Sequence, residues 1–438
     1  MVRTPFWRPP LGPLLVGLAA LAPAAHAAEA EDAQTLQQMQ QEMQQLQQRL
    51  QDQERRLQAL SRRAQNPSAA GNASGLQVGL SGLFAFGGSS VDNAGLAELE
   101  AGGHDPNQNG FTVQNVELSL GAAVDPYFDA RANIVYQIDA DGETVVELEE
   151  AYFITRSLPA GLQVKGGQYF TEFGRLNNRH PHTWAFADQP VILTRLFGGD
   201  GLRGPGARVA WLMPLDWFSE LTFGAQNARG ETQTSFLYAP GEAVAGHTLL
   251  DRQVRDLGDL LYTARWLNGT DLSDNLGLNL GLSGAWGPNA SGTRSDTAIV
   301  GADLYLKWQP DYVQRGFPFV AWHTEVLKRR YQAGDPGAVG SALLRDWGLF
   351  SQALWGFRPG WVAGLRWEYA SADGGEQSDP LRDTRRRLST NLTWYPTEFS
   401  KLRLQYNRDQ AGHLAASHAD SLWLQVEFNI GSHMAHRF

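Results

Sequence analysis

The chain has no cysteine, so neither a disulfide framework nor a thiolate metal site is available to it. Long apolar runs are missing as well. Leu11–Leu21 falls short of the roughly 20 residues a membrane-spanning helix needs, and no other run is long enough. An excess of positive charge is absent: 36 Lys and Arg face 46 Asp and Glu, a net charge of −10, which argues against nucleic acid as a partner. The marks of an enzyme are lacking too. Nucleophilic catalysis needs a nucleophile, a base and an orienting acid in contact, and no nucleophile elbow, metalloprotease helix motif or paired-carboxylate constellation occurs. Nothing calls for a cofactor.

What is present begins with Arg3 and Arg8, the apolar run Leu11–Leu21 and the small-x-small pattern Ala25-His26-Ala27. These predict a secretory signal peptide over 1–27. Residues 28–65 are expected to hold a periplasmic coiled coil. Leu36, Met43, Leu50 and Leu57 are seven apart, and Met39, Leu46 and Leu60 fill the second seam, with Gln53 its polar member. A coiled coil needs partner helices, so an oligomer is expected, a homotrimer by preference, although Leu and Met in both seams do not decide the number. Asn66-Pro67 ends the helix, and 66–75 reads as a linker.

From Leu76 onward the apolar period is two. In YFDARANIVYQID the apolar positions are Phe128, Ala130, Ala132, Ile134, Tyr136 and Ile138. In SLWLQVEFNI they are Leu422, Leu424, Val426, Phe428 and Ile430. Alternation over about ten residues marks a half-buried strand. Sixteen such segments begin near 76, 111, 127, 143, 161, 204, 217, 258, 275, 296, 317, 345, 360, 385, 399 and 420. Long polar connections follow odd-numbered strands and short turns follow even-numbered ones, with the DADG loop after strand 3 the exception. That asymmetry, with aromatics such as Trp286, Trp308, Trp394 and Tyr395 near strand ends, predicts an all-β fold. The expected architecture is a transmembrane antiparallel β-barrel of about 16 strands over 76–438, in the outer membrane of a Gram-negative bacterium. Its partners would be outer-membrane lipid and, through the in-phase terminal Phe438, the barrel-assembly machinery.

If the alternating apolar positions meet lipid, the intervening ones line the interior. Acidic residues concentrate on strands 2–4, as Glu117, Asp129, Glu147 and Glu149. Basic ones concentrate on strands 13–15, as Arg366, Arg385, Arg387, Lys401 and Arg403. The expectation is an acidic arc and a basic row facing one passage, the row guiding anions. A barrel of sixteen to eighteen strands leaves an aqueous channel. The function expected is passive diffusion of small polar or anionic solutes. The alternative is uptake or binding of a metal such as zinc by His180, His182 and Asp188, since imidazole and carboxylate suit that ion.

The plan of signal peptide, short coiled coil, sixteen strands and terminal Phe resembles the phosphate-selective porin O and P family. KGGQYFTEFG (165–174) is similar to that family's motif at a strand end, and EFGRLNNRHPHTWAFADQP resembles a porin-like branch associated with zinc-responsive uptake. The resemblance implies a trimeric porin with a row of arginines and a ring of lysines selecting phosphate. The row has its counterpart in the five cations above; the ring has none, because lysines are very few. The resemblance also implies that the third long loop, 170–203, folds inward and narrows the barrel. Trp184, Phe186, Val191, Ile192, Leu193, Leu196 and Phe197 are apolar enough to meet the inner wall. Arg175, Arg179, Arg195 and Arg203 would edge the passage, with Asp188 and Asp200 and with His180 and His182 at its mouth.

Overall fold

The computed structural model describes residues 75–99, 102–139, 141–244, 246–373 and 382–431. The expected signal peptide, coiled coil and most of the linker lie outside these residues, as does Phe438. The strands are β1 (Gln77–Ser89), β2 (Gly110–Ala123), β3 (Phe128–Ile138), β4 (Thr144–Thr155), β5 (Leu162–Phe170), β6 (Arg203–Leu212), β7 (Phe218–Asn227) and β8 (Leu260–Ser273). They continue as β9 (Leu276–Pro288), β10 (Asp296–Trp308), β11 (Phe319–Ala333), β12 (Ala342–Arg358), β13 (Trp361–Asp373), β14 (Arg385–Thr397), β15 (Ser400–Ala411) and β16 (His418–Gly431).

Each strand pairs antiparallel with its chain neighbours, and β1 pairs with β16, Leu80 opposite Ile430 and Phe86 opposite Leu424. The sheet is therefore a closed sixteen-stranded barrel without an edge. Every expected segment is one of its strands. Short turns join the strands at one end and the long connections at the other, called here the turn end and the loop end.

The burial pattern follows the period of two. On β14, Arg385, Arg387, Ser389, Asn391 and Thr393 are buried, while Leu388 and Leu392 are exposed on the outside. Exposed Leu, Val, Phe and Trp cover the outer wall. Trp211, Trp308, Trp355 and Trp394 lie outward near the turn end, and Trp361 stacks on Trp394 at 5.8 Å. An apolar belt with an aromatic rim on a closed wall is a lipid-facing surface. Among the described residues no helix is long and apolar enough to cross a membrane; the strands do the crossing.

Besides register shifts at the turn end of β8, β12 and β14, two bulges break the alternation inside the wall, on the two strands beside β3. On β2, Leu83 of β1 faces Asn115 and Phe84 faces Val113, so Gln114 is extra. On β4, Asn133 of β3 faces Glu150 and Ile134 faces Leu148, so Glu149 is extra. An extra residue reverses the phase of the strand beyond it. Gln114 and Asn115 both turn inward, as do Glu149 and Glu150, and all are buried.

The interior is not simply wet. Toward the loop end of β8–β13 the inward positions are apolar: Leu261, Ala285, Ile299, Leu327, Phe350 and Ala370. They form one buried cluster with Phe173, Ile192, Leu196 and Phe197 of the third loop and Phe236 and Leu237 of the fourth.

Candidate functional site

The third loop crosses the lumen three times, and each crossing ends on a charged wall residue. Leaving β5, the chain turns at Gly174, whose φ of +61° suits glycine. A Cβ there would collide with the Glu325 carboxylate. The bare backbone lets Arg175 N and Leu176 N both donate to Glu325 Oε1 on β11, at 2.7 and 3.0 Å. Arg175 lies flat on Tyr305, 3.7 Å from the ring centre. The chain then returns to β2 and β4 with His180 and His182. It crosses again to β14 and β15, where Arg403 donates to Trp184 O, Asn391 to Ala185 O, and Gln405 accepts from Ala187 N. Finally α2 (Val191–Phe197; α1, Asn93–Ala97, lies in the first loop) runs along β12 and β13, its first N–H bonded to Glu368 Oε2 at 2.7 Å.

Where the loop meets β2–β4, three histidines and four carboxylates gather. Glu117 and Glu147 both stand opposite Val135 of β3, one from each side. The bulge adds Glu149 and brings Glu150 inward. His180 Nδ1 lies 3.0 Å from Glu149 Oε2 and 3.4 Å from Glu117 Oε2, and its Nε2 lies 3.0 Å from Glu150 Oε2. His182 Nδ1 is 3.2 Å from the same Glu117 oxygen, with the two imidazoles stacked at 5.8 Å. His104, on the first loop, places Nδ1 3.2 Å from the carbonyl of Gln114 and Nε2 3.1 Å from Glu149 Oε1. Arg203 pairs with Glu147 and Glu149. Glu117 and Glu149 are almost fully buried, at 1 % and 0 % exposure. Burial alone would pull His104 down, but its hydrogen bond to Glu149 and the charges of Glu149 and Asp200 carry it up to about 9. For His180 burial is again outweighed, by Glu117 first, and the ring is held well above its ordinary value. An open cleft lined by Glu147, Asp200, Arg203, Arg229 and Glu231 adjoins the cluster.

Several expected sites are placed differently. Asp188 does not join the histidines. Its oxygens take Arg366, Gln405, Arg387 and Asn407 on the opposite wall, at 2.5, 2.8, 3.2 and 2.8 Å. Two guanidinium charges hold it there and leave no donor for a metal. The basic residues Arg366, Arg385, Arg387, Lys401 and Arg403 do face inward, but all are buried, the first four on carboxylates and Arg403 donating to Thr393, Gln425 and Trp184 O, so they do not line a water-filled passage. Arg366 and Arg387 hold Asp188. Arg385 and Arg387 share Asp409, and Lys401 pairs with Glu427 and donates to His182 O. The loop fills the space in front of them. Of the acidic arc, Asp129 lies apart at the turn end, half-exposed beside Arg156. Arg195 is buried, donating to the carbonyls of Arg382 and Asp383 instead of edging a passage. Arg179 and Trp184 line a small enclosed cavity with His104 and Asp200. Sequence reading missed His104, Gln114 and Glu150. The signal for the last two was a break in strand phase, visible only as an alternation that fails midway.

No family model matches the chain. Among solved structures, the outer membrane channel DcaP of Acinetobacter baumannii superposes with a TM-score of 0.52 at 11 % identity, over 81 % of this chain and 96 % of that one. At that identity the likeness is one of fold, the porin-type barrel. An uncharacterized protein of Aquifex aeolicus (strain VF5) is 32 % identical over 386 residues, 81 % of this chain and 78 % of the relative. Identity at that level over that share of both chains places the chain in one family with that Aquifex protein.

Proposed function

We propose that the protein is an outer-membrane channel for passive diffusion of small polar solutes, narrowed by its third loop. The observation carrying this reading is a closed sixteen-stranded wall, wider than inward side chains alone can fill, crossed by a loop of the barrel itself. The fold shared with an outer membrane channel supports it. Charge selectivity is read from the open cleft, where Glu147, Asp200 and Glu231 mix with Arg203 and Arg229. The buried basic row contributes an anion preference only when the loop leaves it. Assembly as a homotrimer is supported by the heptad seam at 34–60 and the apolar outer wall.

Single-channel recording in planar bilayers tests this. Small stepwise conductances are expected, with a reversal potential close to zero in a KCl gradient, and phosphate is the anion to compare with chloride. Absence of any stepwise conductance overturns the proposal. Replacing Arg385, Arg387 and Arg403 together is expected to shift selectivity only in variants whose third loop has been loosened.

A further inference from the structure

We infer that Glu117, Glu149 and His180 form a binding site for a divalent cation of the zinc class, joining the third loop to the wall. One oxygen of Glu117, one of Glu149 and one ring nitrogen of His180 lie within 4.8 Å of one another. The His180 Nδ1 separations of 3.0 and 3.4 Å are close to the roughly 3.3 Å between neighbouring ligands of a tetrahedral ion with 2.0–2.1 Å bonds. His182 Nδ1, 3.2 Å from the Glu117 oxygen, stands next in line as a fourth donor. Imidazole nitrogen with carboxylate oxygen is the donor set that zinc accepts, while magnesium and calcium prefer oxygen alone.

Hydrogen bonds from a protonated His180 satisfy only part of this arrangement. His180 Nδ1 carries at most one proton, yet faces carboxylate oxygens of both Glu149 and Glu117. Its Nε2 faces a Glu150 oxygen and the amide nitrogen of Asn133, each at 3.0 Å. The permanent charges are also unequal. Glu117, Glu147, Glu149 and Glu150 meet one permanent cation, Arg203, and three histidines, His104, His180 and His182, that carry charge only while protonated. A dication among the first three ligands supplies the missing charge where solvent cannot. The surroundings are those of a built site. His104, its Nδ1 at the Gln114 carbonyl, orients Glu149 from behind, as outer partners do for metal ligands. The open cleft, where Glu147, Asp200 and Glu231 mix with Arg203 and Arg229, adjoins the site.

The site goes beyond the channel reading and fails separately from it. Calorimetric titration of Zn²⁺ into the full chain in detergent is expected to show one ion bound per chain. Glu117→Gln with Glu149→Gln is expected to weaken binding at least tenfold, and His247→Ala, on the fourth loop where the ring meets Gly340 O, to leave it unchanged. No uptake by the parent, or equal binding by the double variant, overturns the site. Should the double variant not fold, X-ray absorption of the zinc-loaded parent decides: imidazole and carboxylate in the coordination shell support the site, and a shell without imidazole overturns it. A parent that conducts but binds no zinc removes the site and leaves the channel.

Discussion

Asp188 shows how much one side chain carries here. A single carboxylate answers two guanidinium groups and two amides, on β13, β14 and β15. Asp188→Asn leaves Arg366 with Glu368 and Arg387 with Asp409 as their remaining carboxylates, a loss toward the lower end of the about 3–5 kcal/mol for a broken buried pair. Larger and more frequent conductance steps are expected, and a trace like the parent's would show that the loop is held elsewhere. Near it lies Asp105 of the first loop, bonded to Gly102 N and Gln189 N and facing Asp188 and Arg387. Burial, then the charge of Asp188, raises its carboxyl from 3.8 to about 7. The folded protein therefore holds this proton across a range where the unfolded chain has lost it. Stability falls as pH rises from about 4 to 7. Denaturant midpoints are expected to drop over that window in the parent and to vary less in Asp105→Asn.

At the scale of elements, the third loop behaves as an internal layer of the barrel. Its apolar residues were legible as too apolar for an exposed loop, and Leu196 and Phe197 are fully buried against Phe350 and Leu327. Leu196→Ala should cost about 2–5 kcal/mol of that packing, read as a lower unfolding midpoint. The helix α2 is seated on Gly348 of β12, where a Cβ would come 2.8 Å from Ile192 Cδ1 and 2.5 Å from Tyr369 O. Gly348→Val is expected to push α2 off the wall and raise conductance severalfold; unchanged conductance would mean that the passage runs elsewhere. What the sequence could not give was the path of the loop. Alternation told which wall residues face inward but not what meets them, because that depends on contacts more than a hundred residues apart, such as Asp188 with Arg387.

For the whole molecule, strand number, order and sidedness could all be read from a period of two and from loop length. The wall is a local object: each strand pairs with its chain neighbours. The outer face obeys the same simplicity. Leu392, Leu404 and Leu424 form a row across β14–β16. Leu404→Arg is expected to cost about 2–4 kcal/mol if the row lies at the bilayer midplane, measured by urea unfolding in lipid vesicles. The candidate site is half legible in the sequence: His180, His182, Glu117 and Glu149 stand out there, but Asp188 falls with the histidines although it binds the opposite wall, and Glu150 goes unmarked. The bulge at Glu149 explains the second of these, and it has a consequence for how such a site can arise. Glu149 has no partner on β3, because Asn133 already faces Glu150 and Ile134 faces Leu148, so loss of one codon at position 149 leaves the β3–β4 pairing as it is. The strand would regain a single frame, Glu150 would stay in place, and one carboxylate would vanish from the cluster. Gain of the same codon runs the other way: a single insertion adds an acid to the interior without replacing any residue of the wall.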